Sequence, residues 1–215
     1  MQTILRSSMM DVRSQKKALR KQVEGALRAM TPGAIVAQSN ALAQHIIALD
    51  AIRTAQCVCV YLSMEHEART APILTQLFAA GKKVYVPKVT GMRSEDMVML
   101  QVDSENEMAS FPKSKWGIPE PPELLPNGTP RINALDALDI DVVLVPGVAF
   151  DAHRNRLGHG KGYYDCFFQR YALRNGGELP ATIGLALDVQ MVPAVPTSDH
   201  DKVLDMVATP TGVLQ

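Results

Sequence analysis

Residues 141–165 read Asp-Val-Val-Leu-Val-Pro-Gly-Val-Ala-Phe-Asp-Ala-His-Arg-Asn-Arg-Leu-Gly-His-Gly-Lys-Gly-Tyr-Tyr-Asp. The first six are a short apolar run with the β-branched bias of a buried strand. Residues 147–162 form a loop rich in glycine and charge, and a helix follows from about Tyr163 to Arg174. A buried strand that feeds a helix through a glycine loop is the repeating step of a parallel sheet covered on both faces.

The same alternation extends in both directions. Cys57–Leu62 reads as a buried strand in which Cys57 and Cys59 share one face as small core residues. A helix opens at Thr70 or Ala71 and stops at Gly81, followed by strands at Val84–Pro87 and Met97–Val102. Downstream, Thr182–Leu187 and Met206–Thr209 are further strands. Near the N-terminus, Leu19, Val23, Leu27 and Met30 recur at helical spacing behind Ser14 as N-cap. Thr31-Pro32 then opens a second helix with Ile35, Leu42, Ile46 and Leu49 on its inner face. The segment from Phe111 to Pro130 holds six of the fourteen prolines and reads as a long ordered loop or a linker. The expected fold is α/β: a single three-layer α/β/α domain with a mostly parallel central sheet over residues 14–215. Residues 1–13 are expected to be a flexible N-terminus or a targeting segment.

At 215 residues the chain suits one large domain. Its 22 basic and 22 acidic side chains cancel, which argues against a polyanion binder driven by bulk charge. The distribution is uneven, because residues 1–30 carry seven basic and two acidic groups. No apolar run approaches the ~18–20 residues of a membrane helix, and the three cysteines lack zinc spacing and suit a reducing compartment. The expectation is a cytoplasmic monomer with no nucleic-acid or membrane partner, with the first ten residues, which hold Arg6, two serines and no acid, leaving mitochondrial import as the minor alternative.

The loop itself speaks of phosphate. Gly158, Gly160 and Gly162 occur at every second position, so the backbone can approach a phosphate closely and turn N–H groups toward it. The N-terminus of the following helix adds a positive dipole. Arg154, Arg156 and Lys161 add cations, and Asp165 adds a hard oxygen ligand suited to Mg²⁺. The pattern is neither the P-loop nor the dinucleotide fingerprint, since position 163 is Tyr.

Pro146–Asp151 together with Arg156–Asp165 resembles the signature of the 5-formyltetrahydrofolate cyclo-ligase family, also called 5,10-methenyltetrahydrofolate synthetases. Lys16-Lys-Ala-Leu-Arg20, Tyr61-Leu-Ser-Met-Glu65, Lys115–Pro121 and His200–Asp205 agree in order, so the resemblance spans about residues 14–212. It implies ATP- and Mg²⁺-dependent closure of 5-formyltetrahydrofolate to 5,10-methenyltetrahydrofolate, with ADP and phosphate released through a phosphorylated formyl (imidate phosphate) intermediate. ATP would be held by Lys16, Arg20, Arg156, Leu157, Gly158, His159, Gly160, Lys161, Gly162, Tyr163 and Tyr164. His159 belongs to this run by position only. Lys161, Arg156 and Tyr163 would act on the reacting groups, and Asp165 and Asp201 would hold Mg²⁺. The reduced folate would meet Met64, Glu67, Trp116 and Tyr163. Members of the family commonly carry an acid just before the threonine that opens the next helix; here that residue is Arg69, which leaves the carboxylate for the pterin open, and Glu67 or Glu65 could substitute by a movement of the loop.

Two other readings keep the loop and change the function. One is an ATP-dependent phosphotransferase acting on another small amide or carboxylate, and the other is a nucleotide sensor without catalysis. Lys161, Asp165 and Asp201 argue against an inert site. An isomerase- or CoA-transferase-like enzyme would need a general base or a nucleophilic glutamate, and the loop offers neither.

Overall fold

The computed structural model describes residues 11–114, 117–198 and 201–215. Seven strands form one sheet in the order β3-β2-β1-β4-β7-β8-β9: β1 (Cys57–Val60), β2 (Lys83–Val89), β3 (Met97–Val102), β4 (Val142–Val145), β7 (Ala181–Leu185), β8 (Met206–Thr209) and β9 (Gly212–Leu214). The five inner strands are parallel, and β3 and β9 run antiparallel at the two edges. Edge strands added by short connections are a common end to a parallel sheet.

The period of two along each strand divides the core. Val58, Val60, Val84, Val86, Val142 and Leu144 face one side, where they pack with α1 (Val12–Ala29), α2 (Pro32–Ala48), α3 (Asp50–Thr54) and α4 (Ala71–Ala79). Cys57, Cys59, Tyr85, Val143 and Val145 face the other, against α6 (Ala134–Ala137) and α7 (Tyr163–Arg174). The short α5 (Glu105–Ala109) follows β3. This is the expected three-layer arrangement, including the shared face of Cys57 and Cys59.

Local differences have local causes. Asp11, not Ser14, caps α1, its carboxylate accepting from the Arg13 N–H at 3.1 Å, so the helix begins at Val12. The glycine-rich loop contains a small hairpin, β5 (Ala149–Phe150) paired with β6 (Arg156–Leu157). It turns on Asp151, whose carboxylate is 1% exposed and accepts from the N–H groups of His153, Asn155 and Val195 and from the Asn155 side chain, all within 3.0 Å. The described part of the proline-rich segment is tied to β3 and α5. Arg131 fastens it, donating to the Pro122 and Gln101 carbonyls and to Glu107 at 2.6 Å, with its guanidinium over the Phe111 ring.

Burial pushes the Asp151 carboxyl up, but the four N–H donors pull it further down, so it lies below the ordinary aspartate value. A depressed folded value means stability present above the unfolded pKa of about 3.9 and lost as pH falls through the folded one. Asp151→Asn is therefore expected to cost about 1–3 kcal/mol at pH 7. Urea midpoints for wild type and variant should converge as pH falls below about 4, where the wild-type carboxylate is also neutralised. A gap unchanged by acid would contradict this role.

Candidate active site

Connections from β1 and β4 set the position of the site. The chain leaves β1 through α4 to β2 on one side, and leaves β4 through α7 to β7 on the other. The reversal lies between β1 and β4, and in open α/β sheets ligands bind at such a switch point beyond the strand carboxyl ends. Tyr61 and Leu62 follow β1 there, and Pro146 follows β4.

Two cavities open at this point. The first, about 280 Å³, is polar, and its wall is the glycine loop from Arg156 to Asp165 together with Lys16, Arg20, Asp201 and Lys202. Every residue expected at the nucleotide lines it. The second, about 390 Å³, is mainly apolar, with Leu62, Met64, Pro87, Val89, Met97 and Ile118 in its wall and Glu67 and Glu120 as its acids. Pro146, His159, Lys161, Tyr163 and Tyr164 belong to both walls.

The loop's shape follows from its glycines. Gly160 (φ 93°) and Gly162 (φ 71°) sit in the left-handed region that L side chains rarely adopt, and Gly162 is the N-cap of α7. The free N–H groups of the first turn of α7 therefore border the polar cavity. Arg20 Nε donates to the Gly158 carbonyl at 2.8 Å and braces the loop from α1.

Four charged side chains of the polar cavity form two ion pairs. Lys16 Nζ lies 2.5 Å from Asp201, and Arg156 lies 2.8 Å from Asp165, with the Arg156 guanidinium also over the Tyr164 ring. Burial raises the Asp201 carboxyl, but Lys16 and the Ser198 N–H and hydroxyl outweigh it, holding it below the ordinary range and hence ionised at neutral pH. Lys161 makes no hydrogen bond or ion pair among the described residues. The Tyr164 hydroxyl is buried without a partner among the described residues, and burial pushes its pKa well up, so it stays a neutral phenol. Tyr163 donates to the Gly91 carbonyl at 3.2 Å, tying the β2–β3 connection to the start of α7.

The two candidate acids differ in burial. Glu67 is 10% exposed in its side chain and lines the apolar cavity, whereas Glu65 and Arg69 are exposed. Arg154 is a correction to the cation count: it takes a left-handed turn (φ 66°) and donates to the Asp205 carbonyl, outside the wall of the polar cavity. Lys202 stands in that wall instead, and its only sequence signal was its place beside Asp201. Ile118 and Glu120 were missed individually, although the segment that holds them was singled out. Trp116 lies outside the described residues. Among the described residues no group of three or more His, Cys, Asp and Glu side chains could hold a metal ion by itself.

The model of the 5-formyltetrahydrofolate cyclo-ligase family matches residues 12–210. The chain belongs to this family. It is similar to 5-formyltetrahydrofolate cyclo-ligase of Mus musculus, 34% identical over 91% of this chain and 94% of the relative. It is also similar to the mitochondrial cyclo-ligase of Arabidopsis thaliana, 30% identical over 93% of this chain and 76% of the relative. The solved 5,10-methenyltetrahydrofolate synthetase of Aquifex aeolicus superposes with a TM-score of 0.72 at 26% identity, covering 93% of this chain and 92% of that one. The cyclo-ligase blocks read in the sequence all fall inside the matched residues, and most of them converge on the two cavities.

Proposed function

We propose that the chain closes 5-formyltetrahydrofolate to 5,10-methenyltetrahydrofolate at the expense of ATP, releasing ADP and phosphate. The observation that carries this reading is the shared wall, where a cationic, glycine-lined cavity meets an apolar one at Lys161 and Tyr163. Triphosphate suits the first, and the flat rings of a reduced folate suit the second, with the Glu67 carboxylate as acceptor for pterin N–H groups.

A formamide oxygen is a poor leaving group. In the proposed sequence this oxygen attacks the γ-phosphorus, the bond to the β–γ bridging oxygen breaks, and ADP departs. The resulting imidate phosphate is open to attack by N10 on the former formyl carbon. Loss of phosphate and of the N10 proton then leaves the methenyl bridge. Phosphoryl transfer is accelerated mainly by positioning and charge stabilisation, so no nucleophilic serine or cysteine is required. Lys161 faces the transferred group from the shared wall, and the N-terminus of α7 with Arg156 binds phosphate oxygens. Asp165 and Asp201 are the carboxylates that would hold Mg²⁺, a cation that usually takes one or two carboxylates alongside phosphates. When bound, it supplies further neutralisation of phosphate charge. On nucleotide binding, Lys16 and Arg156 exchange carboxylate for phosphate. The three free cysteines suit a reducing compartment, and we place the enzyme in the cytoplasm as a monomer.

Two tests address this reading. With ¹⁸O in the formyl group, the released phosphate should carry the label; unlabelled phosphate from a productive turnover would refute the imidate phosphate. Lys16→Ala should raise KM for ATP about tenfold, the loss of one charge-assisted contact, with a smaller change for folate. Equal effects on both substrates would remove Lys16 from the nucleotide.

A further inference from the structure

His159 is the one member of the glycine loop whose side chain reaches across to the other cavity's acid. Its Nε2 lies 3.2 Å from Oε1 of Glu67, across 92 residues of sequence. A carboxylate only accepts, so the ring N–H at Nε2 donates. The other oxygen of Glu67 accepts from the Met64 N–H at 2.9 Å, so the same carboxylate holds the loop that lines the apolar cavity. On its other side His159 sits between Gly158, whose carbonyl Arg20 grips, and Gly160, whose backbone passes close to the Arg20 guanidinium. Behind the His159–Glu67 contact is a third cavity, bordered by Glu24 and Arg28 of α1, so the contact separates it from the apolar one. A continuous line of contacts thus runs from α1 through the loop backbone and His159 to Glu67 and Met64.

We infer that His159 is a positioning residue that couples the two substrates: occupation of the glycine loop by nucleotide fixes the imidazole, and the imidazole fixes the Glu67 carboxylate for the pterin. The ring is 44% exposed and Glu67 10% exposed. The imidazole therefore has room to turn with the loop backbone, while the carboxylate can be aimed only by what touches it. Phosphate bound to the N–H groups around Gly158–Gly162 restrains that backbone and removes the ring's alternatives. Coupling between sites is reciprocal, so folate must tighten nucleotide by the same factor that nucleotide tightens folate. The inference rests on the placement of nucleotide and folate proposed above.

The test is a binding cycle without turnover. The Kd of 5-formyltetrahydrofolate is measured with and without a non-hydrolysable ATP analogue and Mg²⁺, for wild type, His159→Ala and His159→Gln. Wild type should bind folate about fivefold or more tighter with the analogue present. His159→Ala should reduce that factor to within about twofold of unity, the scatter expected of independent sites. His159→Gln, which keeps a donor, should restore part of it. If His159→Ala keeps the wild-type factor, or weakens folate equally with and without analogue, or if wild type binds both ligands independently, the coupling role is overturned. Failure of wild type to bind either ligand at all would instead overturn the placement of the substrates.

Discussion

Replacing Lys161 with alanine should lower kcat/KM for ring closure by about 10²–10³, the usual cost of removing one preorganised group aimed at transition-state charge. Lys161 lines both cavities and makes no ion pair among the described residues, so its ammonium is not already committed to a carboxylate as the cations of Lys16 and Arg156 are. In the proposed phosphoryl transfer the charge to be stabilised lies on the group moving between the two substrates, and that group would pass the wall shared by the two cavities. Because the side chain is exposed, the substitution should leave unfolding free energy within about 0.5 kcal/mol. Steady-state kinetics beside a urea titration separate the two quantities. A loss in kcat/KM below tenfold would take Lys161 out of the chemistry, and a comparable loss of stability would mean that the kinetic effect is secondary.

The largest stability effect should come from Arg131→Ala, about 3–5 kcal/mol, the cost of breaking a buried ion pair from one side. The Arg131 side chain is 3% exposed, and Glu107, its partner, is 20% exposed. The substitution also orphans two carbonyls, those of Pro122 and Gln101, and removes the cation from the Phe111 ring. Arg131 fastens the segment that delivers Ile118 and Glu120 to the apolar cavity, so loss of this anchor should raise KM for folate more than KM for ATP. Arg131→Lys should recover little, because a lysine ammonium cannot make the planar, forked contacts of the guanidinium. Thermal unfolding and the two KM values check both parts; an alanine variant less than about 1 kcal/mol weaker would show that the segment is held by other contacts.

Sequence and structure agree where the information is local. Strand Val142–Val145, the glycine loop and helix Tyr163–Arg174 are contiguous, and each carries its own signal: a branched apolar run, residues free to take positive φ, and a 3.6-residue apolar period. The blocks that resemble the cyclo-ligase family are likewise short and continuous. The pairing of the charges was not legible. Lys16 and Asp201 are 185 residues apart, and nothing in either neighbourhood says that the cation of one block neutralises the carboxylate of the other. Arg156 and Asp165 are close in sequence, yet their contact depends on a hairpin turning back onto the start of α7, a shape hidden within an apparently irregular loop. Arg154 misled for the same reason: its charge suited phosphate, but its position in the hairpin turn sends the guanidinium to Asp205. Glu67 was separable from Glu65 only by burial, which a polar segment does not advertise.

These pairs also give the polar cavity its character before substrate arrives. Lys16 with Asp201 and Arg156 with Asp165 keep four charges close to neutral while they wait for partners of opposite sign. Under the proposed function an incoming nucleotide would exchange these contacts rather than simply add new ones, which would limit the affinity gained and favour ligands that satisfy cations and carboxylates together. A metal–triphosphate complex has that composition.

The most direct measurement is spectroscopic. Purified chain, 5-formyltetrahydrofolate, ATP and Mg²⁺ are mixed and the near-ultraviolet absorbance of the methenyl product is followed. The proposed function predicts that absorbance rises only with ATP present, in step with release of ADP and phosphate. No rise at high enzyme concentration, or a rise that does not need ATP, would contradict it.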